Sequence, residues 1–182
     1  MAQGHLYKGH LHKAILRAVA GIGLAAACAS ALAAGEAPDW DQTANIKDAA
    51  TRLAEMQRTQ GATRAFSFID ACYKTHSLSS NYTKAFEACI AQDYLETQVL
   101  ALVYSRMPPE TLKKMGAPSP ELLAQSMGKR VAEAFAIYKV PNSQVTAFKK
   151  LVDEQGFPVF FEALFPNTKP PEPKGLAIPE QK

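Results

Sequence analysis

The stretch that decides the architecture is Tyr82 to Met107, YTKAFEACIAQDYLETQVLALVYSRM, 26 residues without a glycine or a proline. Uninterrupted helix formers at 1.5 Å rise per residue predict a helix of roughly 39 Å. Pro108-Pro109 stops it, since proline has no amide hydrogen and its ring strikes the preceding turn. At about 100° per residue, Tyr82, Phe86, Cys89, Leu100 and Tyr104 share one side. Asp93 and Glu96 fall inside that apolar stripe, the one place where the sequence visibly breaks its own pattern. Taking an ion out of water costs several kcal/mol, so both carboxylates need partners.

Upstream, Ser77-Leu78-Ser79-Ser80-Asn81 is a polar turn in which Asn81 is suited to cap the long helix. A helix from about Ala62 to His76 precedes it, with Ala65, Phe68, Ile69 and Cys72 on one side. Before Gly61, a further helix carries Ile46, Ala49, Leu53 and Met56 at three- to four-residue spacing. Downstream come a short helix near Glu110 to Met115 and a break from Gly116 to Ser119. The next helix has Ser119 as cap, Pro120 at its first position and a stripe of Leu123, Met127, Val131, Ala134, Phe135 and Tyr138. Pro141 leads into a helix from Asn142 to Gln155, carrying Val145, Phe148, Leu151 and Val152 and ended by Gly156. A last aromatic segment follows, Phe157 to Phe165. Five prolines from Pro166 onward predict a disordered or extended tail over 166–182. The expected fold is an all-α, single-domain bundle of about five main helices over residues 43–165, preceded by a flexible linker at 34–42.

Within that bundle, Cys72 lies about one turn before the polar loop and Cys89 about two turns after it. An antiparallel hairpin brings them to similar heights, which predicts a disulfide-stapled αα-hairpin. A loop of this length contributes around 3 kcal/mol in the chain-entropy model. Sixteen residues separate the cysteines, unlike the Cys-x-x-Cys of thioredoxin-type redox pairs. His76 shares a face with Cys72 at i+4, but two ligands do not make a zinc site and oxidation removes the thiolates.

The same register places Glu96 opposite residue 65, so an Arg64–Glu96 ion pair is expected, with Asp93 hydrogen-bonded nearby or reaching solvent. The competing reading gives Asp93 and Glu96 acid/base or hard-cation work. Adjacent turns of one helix are poorly placed to flank a substrate as glycosidase carboxylates do.

At the other end of the chain, Lys8, Lys13 and Arg17 precede an Ala- and Gly-rich run from Ala18 to Ala34. Ala31-Leu32-Ala33 fits a signal-peptidase site, so residues 1–33 read as a signal peptide of bacterial Sec character. Ala25-Ala26-Ala27-Cys28 resembles a lipobox, except that Ala25 stands where Leu is usual; removal of Cys28 with the signal is the preferred reading. Lys and Arg number 20 against 17 Asp and Glu, and the three early cations account for the whole excess. Of four histidines only His76 lies beyond the signal. A neutral mature chain excludes the basic footprint of a nucleic-acid binder, and one histidine excludes a two-histidine zinc motif.

No Gly-x-Ser-x-Gly elbow, Walker loop, dinucleotide fingerprint or His-Glu-x-x-His occurs. No catalytic residue, metal or cofactor is therefore assigned. The aromatic segment, with Phe157, Phe160, Phe161 and Phe165, either closes the bundle or exposes a partner surface. The expected role is an exported, periplasmic, non-enzymatic accessory or binding protein acting through a helical surface or apolar groove toward an envelope protein or apolar ligand. Membrane contact is expected only through the signal or a lipidated Cys28. The alternative is an envelope hydrolase or divalent-metal-binding protein using Asp93 and Glu96.

Overall fold

A computed structural model describes residues 38–173 and 177–179; the signal peptide expected at 1–33, Cys28 and the start of the expected linker lie outside the described residues. Seven α-helical segments follow in order: α1 (Gln42–Gln60), α2 (Ala62–His76), α3 (Lys84–Tyr104), α4 (Pro109–Lys114), α5 (Pro120–Ile137), α6 (Asn142–Leu151) and α7 (Phe157–Leu164). No strand occurs among the described residues, and no helix there is long and apolar enough to cross a membrane. The all-α expectation and its hairpin hold, with Cys72 of α2 bonded to Cys89 of α3 across a Cα separation of 5.6 Å.

Helix α3 is the axis of the bundle, packed against α1, α2 and α5. Every residue from Phe86 to Val99 is buried. A helix covered on all sides has no solvated face, which is why its polar residues sit in the interior instead of on one stripe. The helix is shorter than the uninterrupted run suggested. Thr83, not Asn81, is its cap, accepting the Phe86 amide on Oγ1 at 3.1 Å, and it ends at Tyr104 rather than Met107. Trp40, assigned to the flexible linker, is anchored: its ring lies 5.8 Å from that of Tyr82.

Gly156 does not end a helix. Residues Val152–Gly156 form a π turn that carries α6 directly into α7, and Gly156 itself has helical torsions of −82° and −48°. The wide turn lies just before Pro158, whose ring would otherwise strike the carbonyl four residues back. Glycine is required there by packing. A Cβ on it would stand 2.8 Å from Ile46 Cγ2 and 3.6 Å from both Leu95 Cδ atoms. Ile46 is fully buried and β-branched, so that methyl has nowhere to turn. Gly156→Ala is therefore expected to lower stability by about 1–2 kcal/mol, overpacking exceeding the gain in helix propensity. Urea unfolding measures this, and an unchanged midpoint would show that α1 yields.

Phe157, Phe160 and Phe161 are buried in the core with Ile46, Leu53, Leu95 and Val152. The partner surface expected of this segment reduces to Phe165, 37% exposed. The three rings sit within the bundle, where α7 packs against α1.

Candidate functional site

Three carboxylates of α3 are buried, and each has a different environment. Glu87 accepts from Trp40 Nε1 (2.8 Å) and Asn45 Nδ2 (3.0 Å) on one oxygen, and from Gln42 Nε2 (2.5 Å) and Tyr82 Oη (3.3 Å) on the other. Four donors on one buried carboxylate tie the start of α1 to α3. Burial, with the neighbouring Glu87 charge second, pushes the Tyr82 phenol far above its ordinary range. Sequence reasoning missed Glu87.

Asp93 is held by Arg130 of α5 in a fork, Nη2 to Oδ1 at 2.7 Å and Nε to Oδ2 at 3.1 Å. Tyr73 donates to Oδ2 at 3.2 Å and Thr97 to Oδ1 at 3.4 Å. Desolvation and then the Asp93 charge push the Tyr73 phenol up, while the hydrogen bonds to Asp93 raise Arg130. The expected Arg64–Glu96 pair does not form. Arg64 is exposed and its Nε donates to Gln60 Oε1 at 3.4 Å, while its neighbour Ala65 is the buried residue. Neighbours on a helix point about 100° apart, so Arg64 is turned away from the side that Ala65 buries.

Glu96 is 1% exposed and its Oε2 has no hydrogen-bond partner. Desolvation, then repulsion from Asp93, raises its pKa from 4.5 to about 7. With Asp93 closed by a guanidinium and Glu96 enclosed, the pair offers no open coordination sphere. Neither residue lines the cavities described below.

A concavity lies farther along α3. A cavity of about 260 Å³ is walled by Gln98, Ala101 and Leu102 of α3, Ala124 of α5 and Phe157 of α7. Ser105, Pro120 and Glu121 line it as well, and the chain's own tail contributes Pro171, Glu172 and Pro173. Gln98 donates through Nε2 to Asp153 Oδ1 at 3.0 Å, while its Oε1 is buried and unpartnered. A carboxylate acceptor fixes which end of the amide faces it, so the carbonyl oxygen is the free group. Asp153 comes from the π turn, where burial raises its pKa and the Gln98 and Tyr94 hydrogen bonds oppose that rise.

The described part of the tail is extended and docked, not a free spacer. Ile178 packs against the core, and the Ala177 carbonyl lies where a side chain on Gly128 would be, 2.3 Å from an ideal Cβ. Gly128→Ala is thus expected to push the strap off α5 while favouring that helix by about 1 kcal/mol. Faster amide exchange at Glu172, Ala177 and Ile178, with the melting temperature unchanged or higher, is the expected result. Unaltered exchange in the tail would contradict the contact.

These features define an all-α, disulfide-stapled bundle with a mostly apolar concavity lined in part by its own proline-rich tail, the strap. No protein family, curated protein or solved structure was found to match the chain.

Proposed function

We propose that the chain is an exported, periplasmic, non-enzymatic binding protein whose ligand is a small apolar molecule carrying one hydrogen-bond donor, held beneath the 171–173 strap. The supporting observation is a mostly apolar cavity that Gln98 helps to line, its Oε1 buried without a hydrogen-bond partner. Ligand sites of this kind are concave and mostly apolar, with few polar groups to set orientation. A buried acceptor without a partner carries a desolvation penalty of about 1–3 kcal/mol that a bound hydroxyl or N–H relieves. Export is supported by the signal-like residues 1–33 and by the disulfide, which persists in oxidising compartments.

A series of small alcohols beside their parent hydrocarbons tests the reading by thermal shift. Alcohols are expected to raise the melting temperature more than hydrocarbons of equal size, and Gln98→Leu to abolish the difference. Equal shifts in the unsubstituted protein would overturn the role of Gln98.

A further inference from the structure

A second concavity, of about 310 Å³, opens beside the disulfide and is lined by Arg52, Phe68, Cys72, His76 and Gln92. The sulfurs of Cys72 and Cys89 and a ring nitrogen of His76 all lie within 4.8 Å of one another. Sequence spacing supplied only Cys72 and His76; the hairpin brings the third ligand, Cys89, from α3. Two thiolates and an imidazole suit Zn²⁺, and three protein ligands leave a fourth position for water. Gln92 sharpens the case. It is 1% exposed, donates through Nε2 to the Ala49 carbonyl at 3.2 Å, and its Oε1 is buried without a partner. Gln92 is among the residues that line this concavity, so its unpartnered carbonyl oxygen is the nearby acceptor a metal-bound water would recruit. Arg52, the cation in the wall, is already paired with Asp48 at 3.0 Å.

We propose that reduction converts the Cys72–Cys89 staple into a zinc site completed by His76, with the fourth position facing the concavity. A dithiol reductant gives two electrons and two protons to the disulfide and becomes a disulfide itself. Zn²⁺ then displaces both thiol protons to solvent and takes the neutral imidazole, giving a site of no net charge. The metal replaces the covalent link as the tie between α2 and α3, so the hairpin stays closed in both redox states.

The test uses the full chain, reduced anaerobically with a phosphine and freed of reductant, then titrated with Zn²⁺ against a chromophoric chelator. One ion per reduced chain is expected, with two protons released per ion, and none on the oxidised chain. Co²⁺ in place of Zn²⁺ is expected to show sulfur-to-cobalt charge-transfer absorption. His76→Ala, which leaves the disulfide and core intact, is expected to weaken binding by more than the roughly 100-fold upper range for an outer-shell partner. Four results overturn the proposal: no stoichiometric ion, equal binding by the oxidised chain, unchanged affinity in His76→Ala, or a reduced chain that loses its helicity and does not regain it with Zn²⁺.

Discussion

Glu96→Gln is expected to stabilise the protein at pH 7, by on the order of 2–3 kcal/mol, and to remove part of its pH dependence. The folded chain keeps the Glu96 proton up to about pH 7, whereas the unfolded chain loses it near the ordinary 4.5. Between those values the folded state holds the extra proton, so stability falls as pH rises from about 4.5 to 7 and levels off above. Below 4.5 both states are protonated and the penalty is absent. Glutamine is neutral throughout, with a small offset from burying its amide. Asp153, also raised by burial, slopes in the same direction, so the informative quantity is the difference between the two proteins. Urea unfolding from pH 4.5 to 8 should show curves that meet at the acid end and diverge toward neutrality. Parallel curves would mean that Glu96 is ionised in the fold.

Arg130→Ala is expected to have the opposite sign and a larger size, a loss of about 3–5 kcal/mol. The Asp93 side chain is 3% exposed, and without the guanidinium it retains only the Tyr73 and Thr97 hydroxyls. Removing the other partner is milder. The Arg130 side chain is 47% exposed and can turn to water, so Asp93→Asn should cost about 1–2 kcal/mol. Chemical denaturation of both variants checks the asymmetry, and equal losses would show that Asp93 reaches solvent when freed. Arg130→Lys should recover only part of the loss, since an ammonium cannot reproduce the fork.

Helix periodicity, proline stops and the height of the two cysteines were enough to anticipate the bundle and its staple, because each is a local or near-local property. The misplaced carboxylates were also visible, but their partners were not. Arg130 lies 37 residues from Asp93 on another helix, and only tertiary packing brings it there. Glu87 sits beside Phe86 in a helix for which the sequence reading names a single apolar side, so nothing in that reading singles it out. A usable signal was present: between Lys84 and Arg106 there is no Lys or Arg, which is unusual for a helix with a solvated side. Gly156 looks like a helix stop in sequence, and Gly128 lies inside a predicted helix. Both admit a close approach, by Ile46 and by the Ala177 carbonyl respectively. The proline content of the tail excluded helix without indicating what the tail packs on. The orphaned oxygens of Gln92 and Gln98 follow from the unbroken burial of Phe86 to Val99, so they became legible only with the fold.

The most direct test of the binding cavity is calorimetric titration of 1-naphthol, an aromatic alcohol of suitable size, into the unsubstituted protein and Ala124→Trp. The substitution fills the 260 Å³ space between α3, α5 and the strap from a half-buried position. Saturable one-to-one binding to the unsubstituted protein, abolished in a folded Ala124→Trp chain, is the predicted result. Binding that survives the filled cavity, or no saturable binding to the open one by any of the small alcohols, would contradict the account.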